Sequence, residues 1–127
     1  MAELKLHNRP VGGYASKKEA RRAAELRTLE AAGRIRDLRE QVPYELIPPV
    51  WEDIPQYHKS TGRRIKDRRV IVERACKYVA DFVYVDAETG ETVVEDVKGY
   101  KSGPQYQLYV IKRKLMLQRY GIRIKEV

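Results

Sequence analysis

Two segments in the second half of the chain, KYVADFVYV (77–85) and ETVVEDVKG (91–99), stand on either side of DAETG (86–90). β-Branched and aromatic residues dominate the first and Thr-Val-Val the second, while Asp, Thr and Gly between them form turns. The sequence therefore predicts a strand, a turn and a returning strand. Two charged anomalies lie in this pair. Asp81 interrupts the first strand, with Val79 and Val83 as its expected same-face neighbours. Alternation sets Asp96 and Lys98 on one face of the second strand and Glu95 and Val97 on the other. A carboxylate in an apolar strand costs free energy unless a partner compensates it. An ion pair with Lys98 accounts for one aspartate and leaves the other. Two carboxylates at one place repel unless one binds a proton or a cation sits between them. Mg²⁺, a hard ion held by one or two carboxylates together with water and phosphate, suits such a pair, with Mn²⁺ as its substitute. A lysine beside the ion is placed to orient water or to offset charge on a phosphate.

The flanking segments predict an α/β chain. Residues 1–15, with Pro10, Gly12 and Gly13 and no periodicity, read as a flexible arm. Ser16 stands three residues before Glu19, a capping box that opens a helix through KKEARRAAELRTLEAA and ends it at Gly33. Its apolar face is read as Ala20, Ala23, Ala24, Leu26, Leu29 and Ala31. Residues 35–38 and 44–47 read as two short strands, the second closed by Pro48 and Pro49. The segment 48–69 carries Pro, Gly and the basic run His58, Lys59, Arg63, Arg64, Lys66, Arg68 and Arg69; it predicts a long loop or a protruding hairpin. Val70, Ile71 and Val72 lead on to the strand at 77–85. A second helix at about 107–120 is expected to turn Leu108, Ile111, Leu115 and Met116 inward. Gly121 ends it, and IRIKEV (122–127) reads as a last short strand. Helix, strands, helix, strand in that order predicts a single domain over 16–127, a central mixed β-sheet flanked by two helices.

Charge narrows the choice of partner. Lysine and arginine number 26 against 18 aspartates and glutamates, a net charge of +8. That excess favours a polyanion, through phosphate neutralisation and release of counterions. No stretch approaches the roughly 20 apolar residues that span a bilayer, and no apolar run at the N-terminus resembles a signal peptide. A single cysteine, Cys76, makes no internal disulfide, and no Cys/His cluster has zinc-site spacing. The expected compartment is reducing cytoplasm, away from membranes. His7 and His58 have no partners for a nucleophilic triad, and Cys76 reads as a small core residue. Trp51 and Tyr57 read as packing or loop anchors, with stacking on an unpaired base as the rarer role.

Four segments in order carry a resemblance: SKKEARR (16–22), ADF (80–82), EDVKG (95–99) and YVIKRKL (109–115). An acidic residue on a first helix, an aspartate on a strand, D/E-x-K on the next strand and then a basic helix resemble the PD-(D/E)xK nuclease superfamily. The likeness spans roughly residues 14–127. More narrowly the chain looks like a family of small phage-encoded proteins, and its layout is similar to that of archaeal Holliday junction resolvases. Ala80 stands where the name-giving motif has proline. The resemblance implies a restriction-endonuclease-like core and a metal-dependent endonuclease that hydrolyses DNA phosphodiester bonds. It implies that Asp81 and Asp96 bind the metal with the backbone carbonyl of Val97, and that Lys98 deprotonates or orients the attacking water. Glu19 becomes a further ligand, with Glu25 as its rival and the Ser16 cap as its plainer role. Lys112 and Lys114 match the basic helix, and Arg63, Arg64, Arg68 and Arg69 are expected DNA contacts. With no separate recognition domain, DNA shape is the readable feature. A homodimer making paired cuts in a four-way junction is therefore expected, in the host cytoplasm if the protein is phage-encoded. The competing readings are a non-catalytic nucleic-acid-binding protein of the same fold, a general phage nickase, and an assembly protein whose charged hairpin is only a salt-bridge network.

Overall fold

Helix α1 spans Lys17–Ala31. Ser16 caps it in an extended conformation, and its Oγ accepts the Glu19 N–H at 3.1 Å, satisfying one of the orphan donors of the first turn. At the other end Gly33 takes φ 76°. Its N–H donates to the Glu30 carbonyl, and the Arg34 N–H to that of Leu29. This pair of bonds needs a left-handed residue, which glycine supplies without Cβ strain. The computed structural model describes residues 13–99 and 101–127, so most of the arm expected at 1–15 lies outside the described residues.

Where two short strands are expected, one continuous strand runs, β1 (Ile35–Ile47). Asp37 and Gln41 take φ 56° and 52°, so the chain bulges through its polar stretch instead of leaving the sheet. Its register against β4 (Cys76–Asp86) slips between Arg36 and Arg39 and again between Glu45 and Ile47. Between them, β2 (Val50–Tyr57) and β3 (Arg64–Glu73) pair as a separate two-stranded antiparallel hairpin. Residues 48–69 thus take the hairpin form, and Val70, Ile71 and Val72 complete β3.

β5 (Thr92–Asp96) returns antiparallel to β4, and β6 (Lys125–Glu126) lies parallel to β5. The result is a mixed four-stranded sheet in the order β1-β4-β5-β6. Helix α2 (Pro104–Tyr120) makes the crossover that a parallel β5/β6 pair requires. Tyr78, Ala80, Val83 and Val94 pack with Tyr109 and Met116 of α2. Phe82 and Tyr84 pack with Ala23 and Leu26 of α1. Val93 and Val94, consecutive on β5, fall into different clusters, so the helices cover opposite faces. On β4 strict alternation would put residues 78, 80, 82 and 84 together. Instead the faces exchange beside Asp81, and Val79 is exposed instead of sharing a buried face with Val83.

The helices correct two expected stripes. In α1, Ala23 and Leu26 are buried whereas Ala24 and Ala31 face outward. In α2, Tyr109 and Met116 are buried, flanked by Tyr106, Val110 and Leu115, while Leu108 and Ile111 are exposed. The tyrosines displace the aliphatic stripe because a buried ring can keep its hydroxyl paired: Tyr109 donates to Glu126 Oε2 at 2.9 Å. No helix among the described residues is long and apolar enough to cross a membrane.

One ion pair ties α1 to the sheet. Arg22 Nε and Nη2 donate to the two carboxylate oxygens of the fully buried Glu95 at 2.8 and 2.6 Å, and the Tyr84 hydroxyl donates to the same carboxylate. Burial pushes the Glu95 carboxyl up, but the bonds from Arg22 and Tyr84 outweigh it and hold the group below its ordinary range. Breaking a buried pair strands a charge, at a cost of about 3–5 kcal/mol. Arg22→Ala should lower the urea midpoint by a corresponding amount with the m-value unchanged. A loss under about 1 kcal/mol, the scale of an exposed pair, would show that α1 is anchored by its apolar face alone.

Candidate functional site

The β4–β5 ladder runs from Val85–Thr92 to Phe82–Glu95 and stops there. Extended by one residue, it would set Asp81 directly against Asp96, but the strands part instead. Asp81 Oδ2 accepts the Val97 N–H at 2.8 Å. On its other side the Asp96 carbonyl accepts from Val127 N–H, and Lys98 N–H donates to the Val127 carbonyl, both at 3.0 Å. The parting of the strands therefore leaves Asp81 and Asp96 on the two sides of its mouth.

Asp96 is buried. The Tyr78 hydroxyl donates to its Oδ1 at 2.8 Å. Lys98 Nζ lies 2.5 Å from Oδ2 and 3.5 Å from the centre of the Tyr109 ring, where the π face also favours a cation. The ammonium is out of line for a hydrogen bond, so its contact with Oδ2 is one of charge. Among the described residues Asp96 Oδ2 is a buried side-chain oxygen without a hydrogen-bond donor.

Glu19 enters from the first turn of α1, buried. Its carboxylate does not complete a capping box at Ser16 through any bond as firm as the one it makes elsewhere: Gln41 Nε2 donates to Glu19 Oε2 at 3.1 Å. The same nitrogen lies 3.3 Å from Asp81 Oδ1. Gln41 thus joins the two carboxylates from a backbone conformation that costs a non-glycine residue on the order of 1–3 kcal/mol. Burial raises the Glu19 carboxyl above its ordinary range, and the charge of Asp81 adds to the shift. Asp81 is raised too, by burial against the pull of the Val97 N–H, with the charge of Asp96 reinforcing it.

The structure therefore brings Glu19, Asp81, Asp96 and Lys98 together. Glu25, the rival on α1, is exposed and bound to Arg22 at 3.0 Å. Lys112 is half-buried and shares a cleft with Asp96 and Lys98. Lys114 is exposed and absent from that cleft, since two residues of helix turn a side chain through about 200°. Arg63, Arg64, Arg68 and Arg69 are exposed on the hairpin, where Arg64 pairs with Asp67 at 3.0 Å and Arg69 stacks over Trp51. His58 accepts from Ser60 in the hairpin turn, Tyr57 is exposed, Cys76 packs against the cluster under α2, and His7 lies outside the described residues. Gln41, Tyr78, Tyr109 and the Arg22–Glu95 pair were not singled out by sequence. The available signal was tyrosine itself, nine against one phenylalanine, which requires buried acceptors.

Among the described residues no three His, Cys, Asp or Glu side chains converge closely enough to hold a metal ion. The carboxylates meet through intermediaries, Gln41 between Glu19 and Asp81 and the Val97 amide between Asp81 and the strand of Asp96. The chain belongs to the family described as Protein of unknown function (DUF1064), whose model matches residues 11–125. No curated protein and no solved structure matches it.

Gln41 provides a test that separates backbone from side chain. Gln41→Gly and Gln41→Ala both remove the shared amide, but only glycine accepts φ 52° freely. Gln41→Gly should unfold at a higher temperature than Gln41→Ala, by a free energy of about 1 kcal/mol. Equal melting temperatures would show that the left-handed turn is unstrained.

Proposed function

We propose that the protein is a metal-dependent endonuclease that hydrolyses DNA phosphodiester bonds, acting as a homodimer on branched DNA, above all a four-way junction. The observation that carries this reading is the parting of β4 from β5 beside Asp81 and Asp96, with Lys98 against the second aspartate. With the β2–β3 hairpin set aside, the order helix, three antiparallel strands, helix, parallel strand supports a restriction-endonuclease-like core.

The donors at the site fit a hard divalent cation: all are oxygens, and Asp96 Oδ2 lacks a hydrogen-bond donor. Asp81, Asp96 and the Val97 carbonyl would hold Mg²⁺ or Mn²⁺, with Glu19 as a further ligand. Such an ion supplies Lewis acidity toward phosphate and makes bound water more acidic. The chain's own groups do the rest. Lys98, held between Asp96 and the Tyr109 ring, presents an ammonium to a phosphate oxygen or to water. Lys112 adds positive charge on the same side, and Arg63, Arg64, Arg68 and Arg69 meet the DNA backbone from the hairpin. The scattered carboxylates also favour a second reading, a DNA-binding protein of the same frame that does not turn over.

Cleavage of a four-way junction and a matched linear duplex, each with Mg²⁺ and with EDTA, separates these readings. The expected result is Mg²⁺-dependent cutting, faster on the junction, by a species that sediments as two copies. Asp81→Asn and Asp96→Asn should abolish cutting yet still bind DNA, and Lys98→Ala should slow it about 100-fold. Full activity in either asparagine variant would remove the site assignment.

The hairpin has its own measurement. Neutralising Arg63, Arg64, Arg68 and Arg69 should weaken binding to every sequence. It should also flatten the log–log salt dependence by about one unit per lost phosphate contact. An unchanged slope would leave these arginines as ordinary solvated charges.

A further inference from the structure

Helix α2 carries a second stripe beside the one it buries. Gln105, Leu108 and Lys112 line a cleft of about 440 Å³, at the spacing that shares a helix face. Across it stand Val79, from β4, and the segment 97–99; Asp96 and Lys98 form one end. Val79 and Leu108 are 47% and 49% exposed. Both are apolar residues on core elements, left in the cleft wall instead of the core. The volume falls within the roughly 300–1,000 Å³ of small-ligand sites.

Charge indicates which side a nucleic acid uses. On the α1 side the neighbouring cavity is lined by Glu19, Glu40 and Asp81, which repel phosphate. On the α2 side the cleft has Lys98 at one end and Lys112 in its wall, with apolar side chains available to a base. A paired, stacked base cannot enter such a space, whereas an unpaired one loses little by leaving its stack.

We infer that this cleft binds an unpaired nucleotide adjoining the phosphate at Asp96 and Lys98, with its base against Val79 and Leu108 and its backbone toward Lys112. The inference rests on the endonuclease reading and deepens it. Branched DNA is selected because it supplies a nucleotide free to enter, so selection takes place beside the cut as well as over the whole molecular shape.

Binding tests the inference without cleavage. Asp81→Asn protein, altered outside the cleft, is mixed with DNA carrying 2-aminopurine at an unpaired position beside the branch. A linear duplex with the same base paired serves as the control. The fluorescence should change on binding for the unpaired probe alone. Adding Val79→Ala and Leu108→Ala, both at half-exposed positions, should reduce the preference for the unpaired probe roughly 5- to 100-fold, the scale of one stacked base. An equal response from both probes, or an undiminished preference in the Ala variant, would overturn the inference. So would displacement by free deoxyadenosine monophosphate at the concentration of the DNA, which would make the cleft a free-nucleotide site. Failure of the endonuclease reading is seen separately, as parental protein that leaves DNA uncut in Mg²⁺.

Discussion

Arg22 reaches from α1 to the buried carboxylate of Glu95, and much of the site's geometry follows from that contact. Glu19 lies three residues before Arg22 on the same helix, and Asp96 directly follows Glu95. One bidentate bond therefore fixes the distance between elements that carry two of the site's carboxylates. Ion pairs of this kind gain little net stability over apolar substitutes. Their geometric definition is what apolar packing lacks, because a planar guanidinium matches a carboxylate in one arrangement. The core repeats the device with tyrosine. Three buried hydroxyls end on carboxylates: Tyr84 on Glu95, Tyr78 on Asp96 and Tyr109 on Glu126. Each acid lies on β5 or β6, so the edge of the sheet is held by directed bonds as well as by apolar contact.

Against that fixed frame, β4 and β5 are free to part. The ladder that would pair Asp81 with Asp96 is replaced by a side-chain bond, Asp81 to the Val97 amide, and by pairing of β5 to β6 on its other side. Gln41 meets Asp81 from the opposite strand and links it to α1. The carboxylates are consequently supported from three directions, by a helix, a bulged strand and a parted strand, with Lys98 offsetting the charge of the most buried of them.

The features legible in the sequence were those that contrast with their surroundings. Asp81, Asp96 and Lys98 stand out because charge is conspicuous in apolar strands, and Ser16 and Gly33 mark the ends of α1 by chemistry that is local to them. What escaped depends on non-local partners. Arg22 and Glu95 look like surface charges until the helix is laid on the sheet. Gln41 sits in RDLREQV, a polar run without alternation, and a left-handed glutamine has no sequence mark of the kind glycine leaves. The same run made one bulged strand read as two. In α2, Leu108 and Ile111 form as good an apolar stripe as Tyr109 and Met116, and only the acceptor at Glu126 decides between them. The change of face on β4 arises from the packing around Asp81, which period-two reading cannot anticipate.

The β2–β3 hairpin pairs with no other strand, so both of its outer edges keep unpaired backbone donors and acceptors. Trp51, Ile65, Ile71 and Val72 are exposed along it, and a lone hairpin with such edges is a template for further strands. Lysine and arginine near its turn repel a second hairpin and so act as gatekeepers against edge-to-edge aggregation. A polyanion that covers those charges also removes this protection. The colloidal state of the protein is thereby coupled to the occupancy of its basic arm, and aggregation is best resisted by the chain that has bound nothing.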